Sequence, residues 1–166
     1  MSNPILIDPL AFARDGAQFD KELAIADLDE RVHEVLASTA GAVKLSLAGF
    51  VDRLRRPSLR YALTANVELS CQRCLGIMPF EVVSEGVITL FVNESKLNDA
   101  VAQDEELDAI MAEDEFDVLA LIEDEIIMGL PLSAKHDDCG SEHLERAKAD
   151  KPNPFAVLAT LKKSGS

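Results

Sequence analysis

Two short segments contain all three cysteines of this chain and one of its three histidines. The first segment is Cys71-x-x-Cys74, and the second, far downstream, is His136-x-x-Cys139. Three thiols and one imidazole are the number and the kind of ligands that a tetrahedral zinc site uses. If the two segments converge, a zinc ion would tie one part of the fold to another, which is how structural zinc sites stabilise folding.

The same residues allow two other interpretations. The cysteines of the two segments can be ordinary reduced thiols that never meet, since the sequence does not show that the segments converge. Alternatively, Cys71 and Cys74 form a redox pair, which mild oxidation would reveal. A thioredoxin-like motif opens a helix after a strand, because the helix N-terminus lowers the pKa of the thiol. Here the motif precedes another predicted strand, so the redox interpretation is the weaker one.

The net charge of −14 is concentrated in one third of the chain. Residues 1–80 carry 9 basic and 10 acidic side chains, residues 81–125 carry 1 and 15, and residues 126–166 carry 6 and 5. Phosphate binding needs clustered Lys and Arg, so this balance disfavours strong direct binding of RNA.

Composition also limits the class of protein. An apolar fraction of 48% excludes wholesale disorder. No apolar run approaches the ~20 residues that a membrane span needs. The N-terminus lacks the basic start and apolar stretch of a signal peptide, so we expect a cytosolic protein with reduced cysteines.

The hydrophobic pattern changes from a period of two to a helical period along the chain. Alternating apolar residues predict strands over residues 42–52 and 61–70, joined by a short turn into an antiparallel hairpin. Gly49 interrupts the first of these strands and suggests a bulge. Apolar residues three and four positions apart predict a helix that starts after Asp117 and ends near Gly129.

Two stretches lack such a period. Residues 93–106 are polar and acidic and predict a flexible loop, and residues 133–150 also predict a loop. Asn153 and Pro154 are typical of a helix start, so a last short helix is expected there. We therefore expect one α+β domain over residues 1–166, with a mainly antiparallel sheet or partial β-barrel and two or three helices.

Four landmarks follow one another along the length of the chain. They are Cys71-Gln72-Arg73-Cys74-Leu75, the helix from Ile122 to Pro131, His136-Asp137-Asp138-Cys139, and the tail from Lys151 to Leu158. In their order and spacing these landmarks together resemble the YceD family, the large ribosomal RNA subunit accumulation proteins of bacteria and plastids. The resemblance implies a cytosolic, non-enzymatic factor needed for synthesis, processing or stability of 23S rRNA.

The acidic residues around the predicted helix are candidates for binding a basic partner. A ribosomal or rRNA-processing protein would fit, because charge complementarity speeds association. A solvated helix face is the simpler interpretation, and a carboxylate pair that binds a metal for RNA hydrolysis is the enzymatic one. The predicted partner-binding residues are Asp117, Glu123, Asp124 and Glu125, with Glu113, Asp114 and Glu115 close by.

Arginines around the predicted hairpin form the one local basic patch. Such a patch can bind the phosphates of rRNA, or it can simply keep a turn soluble. Tyr61 is the only aromatic residue among them, so the usual stacking platform for single-stranded bases is missing. The candidate RNA contacts are Arg53, Arg55, Arg56, Arg60 and Arg73.

Overall fold

The computed structural model describes residues 3–140, 142, 145, 146 and 149. The chain divides into two compact units. The first unit comprises Met1–Leu69 and Pro79–Leu132, and the second comprises Ser70–Met78 and Ser133–Ser166.

The described residues form an α+β fold, as predicted. In chain order the elements are β1 (Leu6–Ile7), α1 (Pro9–Arg14), β2 (Gln18–Ala24), a 3-10 turn (Ile25–Asp27), α2 (Glu30–His33), β3 (Ala42–Val51), β4 (Pro57–Ser70), β5 (Ile77–Phe91), α3 (Glu94–Gln103), β6 (Ala109–Met111), β7 (Phe116–Asp117) and α4 (Val118–Gly129).

The main sheet is open and mostly antiparallel, and it is not closed into a barrel. Its strand order is β2-β3-β4-β5-β6, and β1 forms a separate two-stranded sheet with β7. β3 pairs antiparallel with both β2 and β4, and the register places Val51 opposite Pro57 at the predicted hairpin turn. β6 pairs parallel with β5, which is possible because α3 provides the crossover between them.

The core of the first unit lies between the sheet and α4. Successive residues of a strand point to opposite faces, and every second residue of β4 from Tyr61 to Leu69 is at most 6% exposed. Ile122 and Ile126 of α4 are completely buried. A Cβ on Gly129 would lie 2.4 Å from Val82 Cγ1. Gly129 therefore lets the last turn of α4 approach β5 closely.

The predicted helix after Asp117 is confirmed. Asp117 caps α4, because its carboxylate accepts a hydrogen bond from Leu119 N at 2.9 Å. The helix ends after Gly129, as predicted. This cap and the apolar period were both readable from the sequence, which explains why the prediction was accurate here.

The predicted flexible loop at residues 93–106 is wrong for most of its length, because α3 occupies Glu94–Gln103. Asn93 caps this helix by accepting a hydrogen bond from Lys96 N at 3.2 Å. None of its residues is buried. A helix with no buried face has no apolar period, so the pattern could not reveal it.

Residues 3–140 contain four α-helices, rather than two or three. The helices that the sequence did not predict are α3 and α1, and α1 is only 6 residues long, which is too short to show a helical period. The bulge suggested at Gly49 is also absent, since Gly49 pairs with Leu59 in continuous register. A Cβ there would lie 2.2 Å from Phe12 O. Glycine is therefore needed because the backbone of α1 passes directly against β3.

Residues 133–140 of the second unit contain no helix or strand, as the loop prediction for this region requires, whereas residues 142, 145, 146 and 149 are helical. The predicted helix at Asn153 and Pro154 lies outside the described residues. In the described part of the chain, no helix has the length and apolar character needed to cross a membrane.

Candidate metal centre

The first cysteine pair lies in a tight turn between β4 and β5. Cys71 N donates to Gly76 O at 2.8 Å, and Leu75 N donates to Cys71 O at 2.9 Å. Backbone N–H groups also point at the sulfurs, since Arg73 N lies 3.4 Å from Cys71 Sγ and Gly76 N lies 3.4 Å from Cys74 Sγ. The turn therefore aims both thiols to one side and surrounds them with donors that favour the thiolate form.

Leu75 closes this turn in an unusual conformation. Its φ angle is 62°, in the left-handed region that favours glycine. Its side chain is 79% exposed, so packing does not compensate for the strain. The turn holds an energetically unfavourable backbone conformation at the point where it positions the second thiol.

The second segment lies beside this turn and completes the group. Gln72 N donates to Ala134 O at 2.8 Å, which joins the two segments through their backbones. Cys71 Sγ then lies 3.4 Å from Cys139 Sγ, and Cys74 Sγ lies 3.3 Å from His136 Nδ1. All four candidate ligand atoms lie within 4.8 Å of one another. The four residues that the sequence singled out therefore converge on one point.

The spacing of these atoms fits a single metal ion. Zn–S bonds of about 2.3 Å in a tetrahedron place two sulfurs roughly 3.8 Å apart, close to the observed separation. Cys71 is buried, Cys74 is exposed, and His136 and Cys139 are half-buried. The four residues could together hold a metal ion.

The electrostatics favour two of the three thiolates. The Cys74 N–H lowers the pKa of Cys71 to about 5, assisted by His136 and Arg73 and opposed by desolvation. The Arg73 guanidinium lowers the pKa of Cys139. At Cys74 the Gly76 N–H also lowers the pKa, but desolvation and the neighbouring thiols of Cys71 and Cys139 outweigh it, so the net pKa is raised. Cys71 and Cys139 are therefore the two ligands whose surroundings favour the thiolate form that metals bind.

Arg73 binds this cluster directly. Its Nε donates to Cys139 Sγ at 3.3 Å, and its Nη2 donates to the carbonyl oxygen of His136. Three thiolates and a divalent ion leave a net negative charge, which a guanidinium in this position offsets. The sequence suggested Arg73 as an RNA contact and gave no sign of this role, because the partner residues are far away in the chain.

The family of this chain is identified by its similarity to known proteins. The family model for the large ribosomal RNA subunit accumulation protein YceD matches residues 59–162. The chain belongs to the YceD family. The match covers β4 from Leu59 onward, the elements up to α4, and both halves of the Cys/His cluster.

A full-length relative is similar along nearly the whole chain. The large ribosomal RNA subunit accumulation protein YceD of Haemophilus influenzae (strain ATCC 51907 / DSM 11121 / KW20 / Rd) is 28% identical over 171 residues. The alignment covers 96% of this chain and 95% of the relative. No solved structure matches the chain significantly.

In this YceD chain, the predicted partner-binding acids mostly have internal partners. Glu123 is 4% exposed and accepts hydrogen bonds from Asp29 N at 2.9 Å and from Arg31. Asp124 pairs with the same Arg31. Asp117 caps α4. Glu123 therefore lies in the interior of the first unit and does not contribute to an acidic surface.

The fourth of these acids, Glu125, also has an internal partner. Its Oε2 accepts a hydrogen bond from Ser84 Oγ at 2.5 Å. Arg31 is the residue that the sequence reasoning missed altogether. It binds two acids 92 and 93 positions further along the chain, and no local pattern indicates contacts at such a distance.

The candidate RNA-binding arginines of the first unit lie in and beside the β3–β4 turn. Arg56 Nε binds the Asp52 carboxylate at 2.6 Å, and the guanidinium of Arg60 lies 4.9 Å from the centre of the Phe50 ring. Arg53 and Arg55 are exposed at the tip of the turn. RNA contact by these arginines stays a prediction.

Proposed function

We propose that this protein is a non-enzymatic factor in large-subunit ribosome biogenesis, which supports the accumulation of 23S rRNA in the cytoplasm through a protein partner. The observation that carries the proposal is the family match over residues 59–162. The relative that aligns along 96% of the chain is also a large ribosomal RNA subunit accumulation protein.

The distribution of charge supports a basic protein partner. Within residues 104–115, seven carboxylates are exposed and no Lys or Arg occurs. Ribosomal proteins and rRNA-processing factors are mostly basic, and complementary charge would raise the rate at which they associate. The same charge repels the phosphates of RNA, so we place the effect on rRNA downstream of a protein contact.

We further propose that the Cys/His cluster holds a structural zinc ion. Its ligands are Cys71, Cys74, His136 and Cys139, which leave no open coordination position for a substrate in a tetrahedral site. The ion would hold the Cys71–Gly76 turn against the second segment. A zinc site of this kind stabilises a fold rather than performing chemistry.

The competing proposal is a metal-dependent RNA-processing hydrolase that uses the acidic residues of α4. Arg31 Nη2 and Glu123 Oε2 are 2.8 Å apart, and Asp124 binds the same guanidinium. A catalytic metal would have to displace Arg31 from both acids. This pairing supports the non-enzymatic proposal.

Depletion of the protein in cells tests the proposed function. We expect the ratio of 23S to 16S rRNA to fall, and we expect wild-type protein expressed in trans to restore it. An Asp124→Asn variant should restore it too, because the proposed role requires no carboxylate chemistry. A normal 23S level after depletion would contradict the proposal, and 23S precursor cleavage that Asp124→Asn abolishes would favour the hydrolase.

A pull-down at low and high salt, each with and without RNase, tests the protein partner. If basic ribosomal or processing proteins remain after RNase treatment and dissociate at high salt, the partner is held by charge. If 23S precursor is retained instead and is lost only with RNase, the arginines at the β3–β4 turn become the binding site.

A further inference from the structure

An open groove of about 600 Å³ lies in the first unit between β6, the segment that follows β6, and α4. Eight apolar and four acidic residues line it, and no basic residue does. None of the cysteines or histidines of the candidate metal centre contributes to it. The groove is therefore a separate feature that the zinc proposal does not explain.

The floor of the groove is apolar. Ile110 and Met111 come from β6, Phe116 comes from β7, and Leu121 comes from α4. Met111 is 40% exposed, and the other three side chains are half-buried. Apolar surface left open in a concave site is the usual mark of a place where a partner buries an apolar side chain.

The rim of the groove is acidic, and its charge is only partly compensated within the described chain. Of the four carboxylates, Asp124 pairs with Arg31, and Asp117 accepts from the backbone at the start of α4. Glu113 and Glu115 are both exposed, and neither forms an ion pair with a described residue. The groove therefore has an uncompensated negative edge beside its apolar floor.

We propose that this acidic-rimmed groove binds a basic protein segment. A bulky apolar side chain of that segment would lie on Met111, Phe116 and Leu121, while Lys or Arg on either side of it would face Glu113 and Glu115. The proposal rests on the proposed function, which requires a protein partner, and it identifies the surface and the chemistry of the contact.

Two other occupants fit the groove less well. RNA would bring phosphates against a rim of carboxylates and offers bases to a floor that has one aromatic residue, Phe116. A second copy of this chain would bring a net charge of −14 against another −14. A segment with both apolar and cationic side chains complements both parts of the groove.

The full chain can be titrated with a short fluorescent peptide in which leucines are flanked by lysines. We expect saturable binding that weakens as salt is added. The double variant Glu113→Lys with Glu115→Lys should weaken binding at least tenfold, since two close charge pairs are replaced by repulsion. Met111→Gln should weaken it several-fold, because the variant removes apolar contact at an exposed site without disturbing the core.

A matched control separates the groove from general electrostatics. Glu81→Lys with Asp99→Lys makes the same change in net charge at two exposed positions outside the groove. This control should change affinity less than about threefold, because neither side chain lines the groove and salt screens charges that do not contact the peptide. Thermal unfolding of each variant establishes that it is folded.

Three results would overturn the proposal. The control variant could lose as much affinity as the groove variant, or a peptide with serines in place of the leucines could bind equally well. Sedimentation could also show that the chain associates with itself and that the peptide prevents this association. The peptide assay uses the purified chain alone. A failure there removes the groove proposal without touching the proposed function, which the depletion experiment tests independently.

Discussion

The guanidinium group of Arg73 donates a hydrogen bond from Nε to the sulfur of Cys139 at 3.3 Å. The contact joins the turn that contains Cys71 and Cys74 to Cys139, which lies 66 positions after Arg73 in the chain. It lowers the pKa of the Cys139 thiol, and it places a permanent positive charge beside a cluster in which three thiolates and a divalent ion would leave a net negative charge.

Replacement of Arg73 by Gln should therefore weaken zinc binding about tenfold at pH 7, because it removes the cation that lowers the pKa of Cys139 and offsets the negative charge of the loaded cluster. Competition with a chromophoric chelator measures the affinity. Arg53→Gln removes an exposed arginine of the β3–β4 turn and should leave zinc binding unchanged. Equal affinities for the two variants would contradict this role for Arg73.

Removal of zinc should destabilise the protein. We expect a chelator to lower the melting temperature of the wild type, since energy from metal binding is energy of folding at such a site. Cys139→Ser lacks one ligand, so its melting temperature should already be lower and should respond less to the chelator. Chelator already saturated with zinc is the control, and metal analysis should give one zinc per wild-type chain.

Leu75→Gly should be tolerated or stabilising. Glycine adopts the positive φ of this position without strain, which gains about 1 kcal/mol and offsets the greater entropy of the unfolded glycine chain. Leu54→Gly is the matched comparison, because Leu54 is 70% exposed and does not have a positive φ. We expect urea unfolding to show that the Leu54 variant loses about 0.5–1 kcal/mol while the Leu75 variant loses nothing.

Asp52 should make stability depend on pH in the acid range. Partial burial raises its pKa, but hydrogen bonds from Arg56 and Leu54 outweigh burial, so the net pKa lies below its usual value. The resulting stability is fully present above the unfolded pKa of about 3.9 and is lost as pH falls through the lower folded value.

Asp52→Asn should therefore lower the unfolding free energy by about 1–2 kcal/mol at neutral pH. The difference from wild type should shrink below about pH 4, where the wild-type carboxylate begins to take up a proton. Denaturation at a series of pH values measures this. Asp20→Asn changes an exposed carboxylate on β2 and should not alter the pH profile, and the same profile for both variants would remove the assignment to Asp52.

Glu123→Gln should be costly, because it leaves Arg31 and the Asp29 N–H with a weaker partner in a nearly buried position. We expect a loss of about 1–3 kcal/mol, reduced from the fully buried case because Arg31 is partly exposed. A double-mutant cycle with Arg31→Leu should give a coupling energy of at least ~0.5 kcal/mol. Glu115→Gln on the groove rim is the control and should leave stability nearly unchanged.

Local patterns were enough to predict the elements that bury an apolar face. The alternation from Tyr61 to Leu69 and the cap at Asp117 both correspond to what the structure contains. Local patterns did not predict the helix α3, because none of its residues is buried. They also gave the wrong reason for Gly49, which is needed because of its contact with Phe12 in α1. Contacts made elsewhere in the chain leave no trace in a local period.

The candidate site also contains residues that local patterns predicted and residues whose roles depend on distant contacts. Ligand type and spacing predicted the four residues of the cluster, because zinc chemistry restricts which side chains can serve. Arg73 and Arg31 bind partners more than 60 positions away, so their roles required the folded chain. The acidic-rimmed groove was equally hidden, since it combines residues from Pro9 to Asp124.

The pairing of β1 with β7 sets the order in which this groove can be completed. Leu6 lies opposite Asp117, and Val118 N donates to Ile5 O at 2.8 Å. Strands β2 to β5 follow one another in the sheet, and even their longest connection, from Ile25 to Gly41, is much shorter than the separation of Leu6 from Asp117. During synthesis, Asp117 and Val118 must therefore be made before β1 can pair, and only then can the groove be complete.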